Sequence, residues 1–313
     1  MLFSVLISLA LADGDLSTPP VVGGHEVEAG MWEDTAAIYF GNEVGCTGVL
    51  IAPDVVITAG HCNEGIDRVK LGTNDYNNGG EIIRVAEIHE YPNSLSTYDL
   101  AILILEKSSD IEPRVIAQDC ILDDHLYDGA DVTIVGYGAI DPQGYQYVST
   151  LMEGTTVIDD ADCTELSTGC NASVSPEGEL GAGARDNVDS CYGDSGGPLY
   201  LNTDEGDFLV GITSRGYNSS SWDCGHGGIY VRPDAVIDWI EEVIGQPLAT
   251  PECGGSEDDQ DGSPNLGGGG GDGGFDDGQI VGGCACSAGP DMPLSISLTG
   301  MFLTGLMIWR RRE

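Results

Sequence analysis

From Val21 to about Gly245 the chain is built of short apolar runs separated by Gly, Asn and Asp. The clearest runs are Thr47–Thr58, Ile82–Ile88, Leu100–Leu105, Val132–Gly136 and Phe208–Thr213. Short strands at regular spacing, with no long helical periodicity, predict an all-β sandwich or barrel. One stretch reads as a good helix, Asp234–Ile244, with Ile237, Ile240 and Ile244 on one face and Asp234 placed to cap it.

The pattern changes on either side of this region. Leu2 to Ala10 is a short apolar run and Ala10-Leu11-Ala12 a small-x-small site, which reads as a signal peptide over 1–12. Residues 13–20 follow as a short leader, and the catalytic-domain pattern occupies 21–247. Residues 248–283, rich in Gly and Asp and including Gly267–Gly271, read as a self-repelling linker that cannot form a core. Residues 284–313 hold Cys284-Ala285-Cys286, an apolar run Leu294–Trp309 near the lower length limit for a membrane span, and Arg310-Arg311-Arg312. Arginines beyond a span stay cytoplasmic, which leaves the rest of the chain outside.

Composition sharpens this picture. Acidic residues outnumber basic ones by 52 to 11, for a formal charge of −41. Such a surface repels nucleic acid, so no nucleic-acid partner is expected. No acidic stretch matches an EF-hand loop, and neither a metal nor another cofactor is expected. In an exported chain, ten cysteines predict disulfides.

Three segments carry chemistry. Gly193-Asp194-Ser195-Gly196-Gly197-Pro198 sets a serine among glycines that permit a tight turn and close approach of a carbonyl. Thr58-Ala59-Gly60-His61-Cys62 offers a base, and Thr97-Tyr98-Asp99-Leu100-Ala101-Ile102 a carboxylate flanked by apolar residues. Acyl transfer by serine needs a nucleophile, a base, a group that orients the base, and oxyanion donors. Ser195, His61 and Asp99 fill the first three roles, and the N–H groups of Gly193 and Ser195 the last.

In the order His, Asp, Ser these segments resemble the trypsin/chymotrypsin family over residues 21 to about 245. The resemblance implies two six-stranded antiparallel β-barrels and a C-terminal helix. It implies that Val21-Val22-Gly23-Gly24 is the N-terminus made on zymogen activation, whose amine pairs with Asp194. It implies disulfides Cys46–Cys62 and Cys191–Cys224. Cys163 and Cys170 are then expected to pair locally, and Cys120 with Cys253 as the remaining pair. Asp189, six residues before Ser195, matches the pocket-floor carboxylate of trypsin-like members. Gly216 and Gly228 match the pocket walls, and Ser214 the start of the segment that bonds the substrate backbone. The implied partners are protein or peptide substrates with Arg or Lys, together with an activating protease.

Two departures from the family stand out. Arg215 occupies the position of the usual Trp, leaving open whether it alters the next subsites or competes for Asp189. The leader ends in Pro19-Pro20 instead of Lys or Arg. The loop between Leu71 and Glu81 is shorter than the family's calcium loop. The tail resembles bacterial C-terminal sorting signals of the MYXO-CTERM type, which implies a membrane partner and a place at the cell surface or outer membrane, with release from it also open. An ordinary tail anchor is the alternative. A catalytically silent, surface-displayed binding module is the rival functional class. Its usual mark is a lost triad residue, and none is lost here.

Overall fold

The structure is a computed structural model that describes residues 21–185, 187–218 and 223–253. The signal peptide, the leader, most of the linker, and the Cys motif, span and basic cluster of the tail lie outside the described residues. Among the described residues, no helix is long and apolar enough to cross a membrane.

Among the described residues, thirteen strands form two sheets. The first is a closed barrel of β2 (Thr35–Phe40), β3 (Glu43–Ala52), β4 (Val55–Thr58), β5 (Ile66–Leu71), β6 (Glu81–Glu90) and β7 (Ala101–Leu105), ordered β2-β3-β4-β7-β6-β5. The second contains β8 (Asp131–Gly136), β9 (Met152–Asp160), β10 (Glu179–Ala182), β11 (Pro198–Thr203), β12 (Gly206–Gly216) and β13 (Gly228–Val231). Their order is β9-β10-β13-β12-β11-β8, and a β8–β9 pairing closes the ring. β1 (His25–Glu26) adds a seventh strand on β9. Two six-stranded antiparallel barrels are therefore present, with one short strand appended. Closure removes the sheet edges that would otherwise template aggregation.

The run Thr47–Thr58 divides into β3 and β4 because Pro53-Asp54 turns the chain between them. Proline lacks the N–H that a continuing strand would need. Buried Val49, Ile51, Ile57, Ile102, Tyr200, Leu209, Ile212 and Val231 form one apolar cluster drawing on both barrels. Trp32 stacks on Tyr200 at 4.3 Å, and the Tyr200 hydroxyl donates to Asp34 at 2.6 Å.

Two helical details differ from the sequence expectation. Cys120–His125 forms a short helix, α1, where no helix was expected. The C-terminal helix starts with a single 3-10 turn, Asp234–Val236, followed by α2 (Ile237–Ile244). Asp234 does not cap it: its carboxylate accepts both Arg232 Nε, at 3.2 Å, and Arg232 Nη2, at 2.8 Å. A guanidinium two residues away outcompetes backbone N–H groups because its bonds are charge-assisted and bidentate.

Candidate active site

His61 lies in a 3-10 turn just after β4, and Asp99 just before β7, whose strands pair antiparallel. Thr58 is registered with Ala101, so the pairing carries the two side chains to one end of the barrel. His61 Nδ1 lies 2.8 Å from Asp99 Oδ2, and the His61 backbone N–H donates to Asp99 Oδ1 at 2.8 Å. Ser214 Oγ donates to Asp99 Oδ2 at 2.7 Å. Burial alone would raise the Asp99 pKa. The hydrogen bonds from His61 and Ser214, with the imidazole charge, outweigh it and hold the carboxyl below its ordinary value. A carboxylate kept ionised in this way fixes the imidazole orientation and stabilises its cationic form.

Ser195 lies in the second barrel, in the turn before β11. Its carbonyl accepts the Thr47 N–H at 2.9 Å, tying this turn to the first barrel. Ser195 and His61 line the same cavity. Gly193 has φ +98° and Gly196 φ +81°, the left-handed region where side chains are strained. A Cβ on Gly196 would also lie 2.0 Å from Thr58 Oγ1.

The turn orients its peptides. Tyr192 O accepts Ala139 N–H at 2.8 Å, and Asp194 O accepts Gly197 N–H at 2.8 Å. In a trans peptide the N–H points opposite the C=O, so the Gly193 and Ser195 N–H groups face the other way. Among the described residues neither has an acceptor.

Asp194 is fully buried, accepting the N–H of Gly138 and of Cys191, each at 2.8 Å. Burial pushes its pKa up to about 7, with the two backbone donors offsetting only part of the cost. A Cβ on Gly136 or Gly138 would meet this carboxylate at 2.1 Å or 2.5 Å. Val21 and Val22 are buried, and Val22 O accepts the Asp189 N–H at 3.0 Å, so the Val21 segment packs beside the pocket floor.

A cavity of about 680 Å3 runs from His61 and Ser195 to Asp189, with Gly216 among its lining residues. Asp189 Oδ2 accepts three backbone N–H groups, from Gly225 at 2.8 Å, His226 at 3.1 Å and Gly227 at 3.1 Å. Oδ1 is buried with no hydrogen-bond partner. A Cβ on Gly228 would lie 3.5 Å from that oxygen, so glycine there keeps space open beside it. Desolvation raises the Asp189 pKa despite the backbone donors. A buried carboxylate with one unpartnered oxygen favours a cation entering the cavity.

Arg215 does not reach Asp189. Its Nη1 and Nη2 pair with Glu179 Oε1 and Oε2 at 2.8 and 2.9 Å, Nη2 donates to Gly169 O at 2.9 Å, and Nη1 to Ser214 Oγ at 3.2 Å. Glu179, on β10 and only 1% exposed, had no sequence signal of its own. It lies 36 residues from Arg215, and only the β10–β13–β12 pairing brings the two together.

Among the described residues, four disulfides staple the fold: Cys46–Cys62, Cys120–Cys253, Cys163–Cys170 and Cys191–Cys224. Cys62 adjoins His61, and Cys191–Cys224 flanks the Asp189 cavity.

Two closed barrels with a His–Asp pair on one and a serine turn on the other define the chymotrypsin-type serine hydrolase class. The model of the Trypsin family matches residues 21–240. Trypsin iota of Drosophila melanogaster is 29% identical over 76% of this chain and 94% of its own. Human kallikrein-8 is 30% identical over 72% of this chain and 86% of its own. The solved structure of neuropsin, a serine protease expressed in the limbic system of mouse brain, superposes with a TM-score of 0.60 at 28% identity. It covers 71% of this chain and 98% of its own. The chain belongs to the Trypsin family and is a trypsin-like serine endopeptidase.

Proposed function

We propose that the enzyme hydrolyses peptide bonds after Arg or Lys, through an acyl-enzyme on Ser195. His61 removes the Ser195 hydroxyl proton as Oγ attacks the scissile carbonyl, then delivers it to the leaving amine. Asp99 orients and stabilises the imidazolium, and the Gly193 and Ser195 N–H groups receive the oxyanion. Water, deprotonated by His61, then releases the acyl group and restores Ser195. The observation that carries the specificity is the unpartnered Asp189 Oδ1 in the cavity shared with Ser195. Digestion of an unbiased peptide mixture tests it: new C-termini should be Arg and Lys. A preference for aromatic or small residues overturns the assignment. Labelling of Ser195 by an organophosphonate tests the nucleophile, and absence of labelling would favour the binding-module alternative.

Activation follows from Asp194. A free Val21 amine is the cation this buried carboxyl lacks, and its release requires cleavage of Pro20–Val21. No Lys or Arg precedes that bond, so a second protease of different specificity makes the cut. Between Arg232 and Arg310 there is likewise no basic residue, so the linker resists the enzyme itself. The apolar run at 2–10 with its small-x-small site, and the apolar run and arginines of the tail, support a location outside the cell, with the enzyme held at a bacterial surface through the membrane run. Truncation before Leu294 should release active enzyme, and retention of the truncated chain on cells would contradict the anchor.

A further inference from the structure

The hydrogen-bond chain that starts at His61 and Asp99 does not stop at Ser214. Ser214 Oγ donates to Asp99 Oδ2 at 2.7 Å and lies 3.2 Å from Arg215 Nη1. A guanidinium N–H only donates, and a serine hydroxyl has a single proton. Arg215 therefore makes the Ser214 oxygen its acceptor and leaves the O–H proton for Asp99. Neighbours along a strand normally point to opposite faces. Here the β12–β13 register shifts between Thr213 and Arg215, which leaves Ser214 as an extra residue. Such a bulge re-aims side chains, and this one brings Ser214 and Arg215 together.

The guanidinium is itself held from behind. Nη1 also donates to Glu179 Oε1 at 2.8 Å, while Nη2 donates to Glu179 Oε2 and to Gly169 O, both at 2.9 Å. The four protons of the two terminal nitrogens are thus all used. Glu179 is buried, and its Oε2 also accepts the Asn171 N–H at 2.8 Å. Two parallel charge-assisted bonds to a fixed carboxylate set the plane of the guanidinium. A second cavity, of about 760 Å3, has His61, Asp99, Ser214 and Arg215 in its wall. Ser214 borders it, yet the donor that meets its oxygen is the fixed Nη1. The charges alternate from Asp99 through Arg215 to Glu179. A cation one hydroxyl away from Asp99 polarises that O–H toward the carboxylate.

Resting on the protease reading above, we propose that Arg215 and Glu179 are positioning residues for catalysis. Glu179 fixes Arg215, Arg215 orients the Ser214 hydroxyl, and that hydroxyl holds Asp99 against His61. In this role neither residue touches the substrate or the reacting atoms. The pair acts on turnover, and it acts through Ser214.

The test is a double-mutant cycle on the processed enzyme. Glu179→Gln/Arg215→Met removes both charges at nearly constant side-chain size, so no buried charge loses its partner. The change is made in the wild-type and in a Ser214→Ala background. Each enzyme is assayed on an acetyl-arginine ester, which has no residue before its arginine, with active sites counted by organophosphonate titration. In the wild-type background kcat should fall by about 10-fold, with KM within about 3-fold. In the Ser214→Ala background the same change should cost less than about 2-fold, because effects routed through one group are not additive. An equal loss in both backgrounds overturns the proposal and makes the pair a brace for the segment 169–171. An unchanged kcat in the wild-type background, or a loss carried by KM, overturns it too. Where the paired variant fails to fold, Arg215→Lys decides by the same cycle. A single ammonium nitrogen cannot reproduce the four bonds of the fork, so kcat should fall by about 3-fold with Ser214 present and hold steady without it. Ester hydrolysis by the wild-type enzyme reports the protease reading separately. Its absence overturns that reading, whereas the outcomes of the cycle bear on the pair alone.

Discussion

Asp189 and Glu179 are two carboxylates withdrawn from water, 2% and 1% exposed; Asp189 lines the cavity it shares with Ser195, and Glu179 lies behind Arg215. Glu179 is bonded by Arg215 on both oxygens and by a backbone N–H on one. Asp189 has three backbone donors on one oxygen and none on the other. The difference shows how the same burial yields opposite outcomes. A carboxylate whose bonds are filled from within the protein becomes structure. One left with an unpartnered oxygen beside a cavity keeps bonding capacity open to whatever enters.

The largest expected effect separates chemistry from this recognition. Ser195→Ala should lower kcat/KM by roughly 10^4–10^6 while leaving both cavities intact. Affinity for a competitive benzamidine-type cation should stay within a few-fold of wild type, measured by calorimetry. Loss of that affinity together with turnover would show that the serine turn also builds the recognition site.

Next comes removal of the unfilled carboxylate. Asp189→Ser should reduce kcat/KM on Arg substrates by about 10^2–10^4, the equivalent of about 3–5 kcal/mol of transition-state stabilisation. Steady-state kinetics on a Phe and an Arg substrate checks it. An equal fall on both would mean that the substitution damaged the turn and not the charge complementarity.

Turning Glu179 into an unpartnered carboxylate sharpens the contrast from the other side. Arg215→Leu leaves a buried charge behind and should destabilise the domain by about 3–5 kcal/mol, read as a lower midpoint in urea. The Arg215 side chain is 36% exposed, so Glu179→Gln, which leaves a guanidinium that water can reach, should cost less. A smaller loss in Arg215→Leu than in Glu179→Gln would contradict the assignment of Glu179 as the buried, dependent partner.

Asp194 lies between these cases, with two backbone bonds and full burial. Its pKa is raised to about 7 from 3.8, so the folded chain holds a proton that the unfolded chain has lost between those values. Folding stability of the uncleaved chain should fall as pH rises through that window, by up to about 4 kcal/mol. The chain cut before Val21 should lose less, because an ammonium pairs with the ionised carboxylate. Thermal midpoints of both forms from pH 4 to 8 decide this. Parallel curves would contradict a role for Asp194 as the partner of the Val21 amine.

Much of the fold was legible because barrel strands carry their pattern locally. Ile82–Ile88 lies within β6 and Leu100–Leu105 nearly coincides with β7. The misreadings were of a different kind. The break at Pro53-Asp54 was hidden inside a continuous apolar run. Asp234 had two competing partners within reach, and sequence position alone does not say which wins. At the site, motif residues were visible because each sits in a recognisable local segment. The Glu179–Arg215 pair was not visible: no local motif marks Glu179, and only the strand pairing of β10, β13 and β12 buries it beside Arg215. The close approach of Gly136 and Gly138 to Asp194 is likewise a product of packing across more than fifty residues of chain.

The most direct test of the central claim compares two substrates that differ only in charge at the residue before the scissile bond. One carries arginine and the other citrulline, which keeps the shape but not the cation. With the processed enzyme, kcat/KM for the arginine peptide should exceed that for citrulline by at least about 100-fold, since only arginine fills the open valence of Asp189 with charge. Equal values for the two peptides would contradict the account: Asp189 would then not be reading charge, and the specificity of the enzyme would have to come from elsewhere in the cleft.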